Sequence, residues 1–235
     1  MTLRAVVYDL FGTLVPKWSS ELARAALRRI SSVLGVDHEE FTRAWQQTDV
    51  CREVGRVSVE HGFEVAAQSC SVTDRQRVDE AIAIWLALVR DRLTPRESVA
   101  GVLAACRERG LRVGLLSDCN DDVPRVFRTL SIAAQFDVLG FSCELGAMKP
   151  EPRVYLEVCR RLGVEPRECV YVGDGGSDEL RGAREVGMTP VFLRHAAEIE
   201  LEGLPNGACE WSGAVIESLD ELWRELGLSD PSLAS

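Results

Sequence analysis

The sequence predicts an α/β fold: a parallel sheet with helices on both faces and a helical unit inserted near the N-terminus. Three observations lead to this prediction. Short apolar segments alternate with amphipathic helical patterns through the second half of the chain. Chemically reactive side chains follow several of these segments. Roughly ninety residues also separate the first apolar segment from the helix preceding the second, far more than an ordinary crossover needs.

Five segments have the length and the branched, apolar composition of strands buried on both faces. They are residues 6–8, 112–116, 136–141, 170–172 and 190–193. Helical spacing of apolar residues occurs at 97–109, 123–130, 153–162 and 177–186. Strands that alternate with helices in this way indicate a Rossmann-like core with a parallel sheet.

The long connection near the N-terminus has its own helical pattern. Apolar residues recur at three- and four-residue spacing in segments 19–34, 39–50, 59–69 and 75–90, which predicts four helices that bury a small core of their own. We therefore expect a catalytic core of residues 1–15 and 96–235 and an all-helical cap domain of residues 16–95.

Composition limits the classes of function. The chain has 235 residues, 46% hydrophobic and 27% charged, with a net charge of −10. That charge disfavours nucleic acid and anionic membranes as partners but allows a small anionic substrate, because a site can be locally positive. No segment resembles a secretory signal or a membrane span, so a cytoplasmic protein is expected. The oligomeric state, monomer or homodimer, stays open.

The eight cysteines form no C-x-x-C pair, a pattern that favours reduced thiols over metal or redox sites. The three histidines have no metal-ligand spacing, and no G-x-S-x-G motif supports a serine hydrolase. The tail after Leu228 is expected to fray.

Four polar residues stand where a parallel sheet gathers its functional groups, just past the carboxyl ends of strands. Asp9 follows the first predicted strand, Ser117 the second and Asp174 the fourth, and Lys149 precedes the helix at 153–162. Asp9 and Asp174 would repel one another unless a cation lay between them. Carboxylate oxygens suit Mg²⁺, so the sequence predicts a magnesium site at this edge.

These residue types also suit a covalent hydrolase. A carboxylate such as Asp9 can attack phosphorus or an activated carbon and form an ester that water later cleaves. Ser117 can donate to a developing oxyanion, and Lys149 supplies positive charge. The chain contains 25 arginines and only two lysines. In so lysine-poor a chain, Lys149 is not readily explained as an ordinary surface residue.

The same residues resemble the signatures of the haloacid dehalogenase superfamily over nearly the whole chain. Residues 8–14 (YDLFGTL) are similar to its first signature, 115–117 (LLS) to its second, 149–152 (KPEP) to its third, and 172–174 (VGD) to its fourth. The helical insertion after the first signature resembles the superfamily's cap, which closes over the substrate and selects it.

The resemblance implies roles for individual residues. Asp9 would be the nucleophile, while Ser117 and Lys149 would hold the transferred group. The Mg²⁺ ligands would be Asp9, the backbone carbonyl of Phe11 and Asp174. Asp178 would support these ligands without binding the ion itself.

Phe11 departs from the phosphatase pattern, in which a second aspartate two residues after the nucleophile protonates the leaving alcohol. An aromatic residue here resembles the metal-independent 2-haloacid dehalogenases, whose fourth signature has serine and asparagine where this chain has Asp174 and glycines. A second departure is Asp118, where asparagine is more usual. Retention of Asp174 favours a Mg²⁺-dependent phosphatase of a small phosphorylated metabolite, acting through an aspartyl-phosphate on Asp9. The alternative is a 2-haloacid dehalogenase.

A third possibility is a catalytically weak binding or scaffold protein, because a chain with Phe11 in place of the second aspartate could have lost most of its activity. Substrate contacts would come from the cap. Arg52, Arg56 and His61, near a predicted turn at Gly55, are the polar candidates there.

Overall fold

The computed structural model describes residues 2–195 and 211–228. Six strands form one parallel sheet in the order β3-β2-β1-β4-β5-β6. The strands are β1 (Ala5–Tyr8), β2 (Arg112–Ser117), β3 (Val138–Phe141), β4 (Cys169–Gly173), β5 (Thr189–Leu193) and β6 (Ala214–Ile216). The α/β class with a parallel sheet is thereby confirmed.

Eleven α-helices accompany this sheet within the described residues. They are α1 (Ser20–Leu34), α2 (His38–Gln46), α3 (Asp49–Glu53), α4 (Val59–Ser69), α5 (Arg75–Arg92), α6 (Val99–Glu108), α7 (Asp122–Phe127), α8 (Ser142–Leu145), α9 (Pro152–Leu162), α10 (Glu179–Glu185) and α11 (Leu222–Glu225). Helices α1 to α5 lie between β1 and β2 in sequence, and we call them the helical insertion.

Three details differ from the sequence prediction. The segment predicted as one helix, 39–50, is divided into α2 and α3, because the Thr48 hydroxyl donates to the Trp45 carbonyl at 3.0 Å and ends α2. Helix α10 begins later than predicted, because Ser177 and Asp178 have φ angles of +51° and +53°, outside the helical region. Strand β6 was not predicted, because its three residues carry too little pattern. The tail after Leu228 lies outside the described residues.

Both faces of the sheet are covered, as parallel strands require. Along β1, Val6 and Tyr8 belong to one hydrophobic cluster, and Ala5 and Val7 to a second. The first cluster continues into the helical insertion, where α1 packs against α5 and α2 against α4. The second cluster lies beneath α9 and α10. The alternation of β1 thus anchors both layers to one strand.

The seven cysteines within the described ranges are free thiols. None of the helices in those ranges is long and apolar enough to cross a membrane.

The register of the sheet brings three strand ends to one edge. Tyr8, the last residue of β1, lies opposite Leu115 of β2 on one side and Val172 of β4 on the other. The loops that follow β1, β2 and β4 therefore leave the sheet side by side. This edge is where the sequence placed its candidate functional residues.

Candidate active site

Asp9 lies directly past β1 and is fixed by both backbone and side chain. Its N–H donates to the Val172 carbonyl at 2.9 Å, which continues the β1–β4 ladder by one residue. One carboxylate oxygen, Oδ1, is 2.6 Å from the Lys149 Nζ. The other, Oδ2, accepts from the Thr13 hydroxyl at 3.3 Å. The side chain is only 6% exposed, so its orientation is largely determined by these contacts.

Lys149 lies at the centre of a buried network. Its Nζ is 2.6 Å from Asp9 Oδ1 and 2.5 Å from Glu179 Oε2, and it lies 3.4 Å from the Tyr171 hydroxyl. Tyr171 in turn donates to Glu179 Oε2 at 2.6 Å. A buried charge is tolerated only when it is paired and hydrogen-bonded. Two carboxylates meet this requirement for Lys149.

The surroundings of these groups shift their titration. Burial opposes the charge of Lys149, but the negative Asp9 and Glu179 outweigh it and raise the pKa of Lys149 well above its usual range. Burial raises the pKa of Asp9 to about 6, with Asp174 adding to the shift and Lys149 opposing it. Burial likewise raises the pKa of Glu179 to about 8, with Asp9 adding to the shift and Lys149 opposing it. Both carboxyl groups therefore keep their protons to a higher pH than exposed carboxyl groups do, chiefly because they are buried.

Asp174 completes an acidic cluster beside Asp9. One oxygen each of Asp9, Asp174 and Glu179 lies within 4.8 Å of the other two. Asp174 Oδ1 accepts from the Gly176 N–H at 2.9 Å, and Oδ2 lies 3.5 Å from the Nζ of Lys17. Such a set of hard oxygen donors could hold a divalent cation.

Gly12 allows this close approach. Its φ is +80°, and a Cβ atom at this position would lie 2.4 Å from Asp174 Oδ2. A side chain here would clash with Asp174 and strain the backbone. The turn at Gly12 and Thr13 therefore leaves space for the side chain of Asp174 beside Asp9.

The loop after β2 adds Ser117 and Asp118 to the same edge. Ser117 is 1% exposed, and its hydroxyl lies 3.5 Å from the Asp118 carbonyl. Asp118 Oδ1 accepts from the backbone N–H of Lys149 at 3.0 Å. Asp118, which the sequence left without an account, therefore fixes the loop that carries Lys149.

The third acid of the cluster is Glu179, and Asp178, which the resemblance implied as a supporting residue, lies outside it. Asp178 pairs with Arg181, its Oδ2 accepting from Arg181 Nε at 2.7 Å, and its side chain is 36% exposed. Glu179 is fully buried, and its Oε1 accepts from the Gly175 N–H at 3.0 Å. The reason is local: the positive φ angles of Ser177 and Asp178 turn the chain so that the next side chain points inward. The structure does not bring Asp178 into the cluster.

A cavity of about 410 Å³ lies between this edge and the helical insertion. Asp9, Lys149, Asp174 and Glu179 line it on the side of the sheet. Lys17 also lines it, so both lysines of the chain belong to the site. Sequence reasoning missed Lys17, although the scarcity of lysine that singled out Lys149 applied equally to it.

The opposite wall of the cavity is aromatic. The ring of Phe11 packs edge-on against Trp18 with centroids 5.6 Å apart, and Trp18 contacts Trp85 at the same separation. Trp85 contacts Trp45 at 5.3 Å. All four rings line the cavity. Phe11 is thus part of the aromatic wall, where it cannot take part in proton transfer.

Of the three polar candidates in the insertion, the structure brings only Arg52 to the cavity. Its guanidinium stacks on Trp45 with its central carbon 3.4 Å from the ring centroid, donates to the Trp45 carbonyl at 2.8 Å and pairs with Asp49. Arg56 is exposed and does not line the cavity. His61 is exposed and pairs with Glu64 at 3.3 Å.

Comparison with known proteins identifies the family to which the chain belongs. The family model of haloacid dehalogenase-like hydrolases matches residues 3–187. A glyceraldehyde 3-phosphate phosphatase of Methanopyrus kandleri is 29% identical over 205 residues, 85% of this chain and 88% of that protein. An (S)-2-haloacid dehalogenase of Burkholderia cepacia is 25% identical over 239 residues, 94% of either chain.

The crystal structure of a HAD phosphatase from Thermococcus onnurineus has the same fold. Its TM-score is 0.68, with 24% identity and coverage of 97% of this chain and 100% of that one. The family match spans most of the chain, including all the strand-end residues described above. This chain therefore belongs to the haloacid dehalogenase-like hydrolases.

Proposed function

We propose that this hydrolase is a Mg²⁺-dependent phosphatase that acts on a small phosphorylated metabolite through an aspartyl-phosphate on Asp9. The observation that carries this proposal is the cluster of Asp9, Asp174 and Glu179, whose oxygens lie within 4.8 Å of one another. Two ammonium groups lie against that cluster, Lys149 beside Asp9 and Glu179 and Lys17 at 3.5 Å from Asp174. An anionic substrate that approached these acids would meet less repulsion if a cation were also bound there.

The residues present suit a magnesium ion. The cluster offers carboxylate oxygens, the donors that Mg²⁺ prefers, and Gly12 leaves Asp174 room that any side chain would fill. Asp9, Asp174 and the Phe11 carbonyl would hold the ion, and Glu179 would support them through its contact with Lys149. When bound, Mg²⁺ would neutralise charge on the phosphoryl oxygens and on the carboxylates around it.

The chain's own residues would carry the transfer. Asp9, oriented by Lys149 and Thr13, would attack phosphorus and displace the alcohol. Lys149 would hold a phosphoryl oxygen with a positive charge that its two carboxylate partners keep in place. Ser117, at the end of β2, would donate a hydrogen bond to another oxygen.

The helical insertion would act as a cap domain, with residues 16–95 closing over a core of 1–15 and 96–235. Two chain crossings join the two parts, so we propose that substrate enters when the insertion swings away from the sheet edge. The aromatic wall and Arg52 would then contact the leaving group.

Phe11 and its packing against Trp18 favour a second candidate, a metal-independent 2-haloacid dehalogenase. In that reaction Asp9 would displace halide from carbon, and halide needs no proton. An apolar wall would suit the substrate's carbon chain. Asp174 argues against this candidate, because its negative charge beside Asp9 would repel the carboxylate of a haloacid unless a cation intervened.

A panel of phosphorylated metabolites, aryl phosphates and 2-haloacids, assayed with Mg²⁺ and with EDTA, tests the proposal. We expect phosphate release that needs Mg²⁺ and no halide release. Halide release that EDTA leaves unchanged would establish the dehalogenase instead. Mg²⁺ binding without turnover of any compound would indicate a binding or scaffold protein.

A further inference from the structure

The proposed phosphatase lacks an evident proton donor. Breaking the bond to an alkyl leaving group produces an alkoxide, and the second step requires that a water molecule lose a proton. A positioned acid or base contributes roughly 10²–10⁴-fold to each such step. The position two residues after Asp9 holds Phe11, whose ring packs against Trp18. The acid must therefore come from elsewhere in the cavity.

Four carboxyl groups line the cavity outside the cluster of Asp9, Asp174 and Glu179. Asp49 is paired with Arg52. Asp122 is only 1% exposed, and its two oxygens accept from Trp85 Nε1 and from the Val123 N–H, both at 2.8 Å. Neither group can offer a proton to a substrate without losing these partners.

Asp118 is also unsuited to proton exchange. Its Oδ1 accepts from the Lys149 N–H at 3.0 Å, and its Oδ2 is buried out of contact with solvent. The fourth carboxyl, Glu53, is different. It is half-buried, lines the cavity, and forms no side-chain hydrogen bond or ion pair with any residue in the described ranges.

We propose that Glu53 is the general acid and base of this enzyme, supplied by the helical insertion in place of the aspartate that Phe11 replaces. This inference rests on the proposed phosphatase function. Glu53 is the last residue of α3, and its carboxyl is free to turn toward a bound leaving group.

The position of Glu53 relative to the sheet edge is fixed by a backbone contact. Two residues later, Gly55 has a φ of +69°, and a Cβ atom there would lie 1.8 Å from the Cys143 carbonyl oxygen. The chain after α3 therefore lies directly on α8, which follows β3. Because only glycine permits this approach, α3 is held against the core at the side of the cavity where Asp118 lies.

The electrostatic surroundings favour a protonated Glu53. Partial burial and the negative charges of Asp118 and Asp49 raise the pKa of Glu53, and the nearby Arg52 opposes this shift. A carboxyl group that keeps its proton closer to neutral pH is suited to donate it.

The proposed reaction balances in two steps. As Asp9 forms a bond to phosphorus, the bond from phosphorus to the leaving oxygen breaks, and Glu53 gives that oxygen its proton. Glu53, now a carboxylate, then takes a proton from the water that attacks phosphorus. Phosphate leaves, the Asp9 carboxylate is regenerated, and Glu53 is protonated again for the next cycle.

Glu53→Gln tests the proposal with saturating Mg²⁺ and esters of graded leaving-group acidity, from p-nitrophenyl phosphate to alkyl phosphates. The ratio kcat/KM reports the transfer to Asp9. We expect it to fall by about 10²-fold or more for alkyl esters and to change little for the aryl ester, whose anion leaves unaided. Loss of the base should also slow hydrolysis of the aspartyl-phosphate, so p-nitrophenolate should appear as a burst.

Glu80→Gln is the matched control, because Glu80 is an exposed glutamate on α5 that does not line the cavity. It should leave every rate at the wild-type value. Equal losses for alkyl and aryl esters in Glu53→Gln, or unchanged alkyl rates, would overturn the inference while the phosphatase function stands. A loss confined to alkyl esters in Asp118→Asn but absent in Glu53→Gln would also overturn it. A wild-type enzyme without activity on the aryl ester would instead overturn the proposed function itself.

Discussion

The two walls of the cavity are held in place by different forces. The wall at the sheet edge consists of buried charges, with Lys149 between Asp9 and Glu179 at 2.6 and 2.5 Å. The wall formed by the helical insertion consists of packed rings, among which Trp45 and Trp85 lie 5.3 Å apart. The first is fixed by strand ends and hydrogen bonds, the second by helix packing.

The two walls should therefore differ in how easily their residues can be replaced. A buried charge network loses several kcal/mol when one member is removed, so the reacting groups on the sheet side are held in one arrangement. Aromatic side chains that pack without directional bonds can be exchanged at a smaller cost. We infer that the sheet wall holds Asp9 and the charges around it, and that the helical wall shapes the space for the substrate in addition to carrying the acid proposed at Glu53.

The largest effect should come from Asp9, the proposed nucleophile on the sheet wall. Asp9→Asn is nearly isosteric and its amide oxygen can still accept from Lys149, so the fold should persist. Turnover should fall by roughly 10⁴-fold or more, because an amide cannot attack phosphorus. Phosphate release, with a thermal melt to verify folding, measures this. A variant that retained a tenth of the wild-type rate would rule out a covalent step on Asp9.

The second-largest effect should distinguish Asp174 from Asp178, two acids of the loop after β4. Asp174→Ala should weaken Mg²⁺ binding in calorimetry and reduce the Mg²⁺-dependent rate by about 10²-fold or more, because one of the proposed oxygen ligands is lost. Asp178→Ala is the control, since Asp178 is partly exposed and pairs with Arg181. It should bind Mg²⁺ as the wild type does. Equal weakening in both variants would place Asp178 in the metal site after all.

Much of the sheet wall could be predicted because the ends of buried strands can be recognised in the sequence. Asp9, Ser117 and Asp174 each follow a short apolar segment, and parallel strands bring such residues to one edge. Lys149 was singled out by its motif and by the scarcity of lysine. All four lie where predicted, and three of them, Asp9, Lys149 and Asp174, line one cavity.

Glu179 and the helical wall could not be predicted, for physical reasons. Whether Asp178 or Glu179 points inward depends on two positive φ angles in a loop, and side chains with no special preference for that region give no signal of it. In the insertion, the choice among Arg52, Arg56 and His61 depends on how α3 and α4 rotate against their neighbours. Periodicity predicts helices but not these rotations.

The smallest effect concerns a buried hydrogen bond between the helical insertion and α7. Trp85 of the insertion donates its indole N–H to Asp122 Oδ2 at 2.8 Å, and Asp122 is 1% exposed. Trp85→Phe keeps most of the ring packing but leaves a buried carboxylate oxygen without a donor. We expect the free energy of unfolding to fall by about 1–3 kcal/mol near neutral pH, measured by urea denaturation.

The pH dependence of this loss identifies its cause. Burial raises the pKa of Asp122 to about 6 from an ordinary value of 3.8, so the folded protein binds the proton more tightly than the unfolded chain does. Ionisation of Asp122 therefore costs stability as the pH rises from about 4 to 6. Removing the indole donor raises the folded pKa further, so Trp85→Phe should destabilise more near pH 8 than near pH 5. Trp18→Phe makes the same ring change without removing a hydrogen bond of the described residues, and its loss should not vary with pH. A pH-independent loss in Trp85→Phe would show that the loss comes from ring packing and not from the hydrogen bond to Asp122.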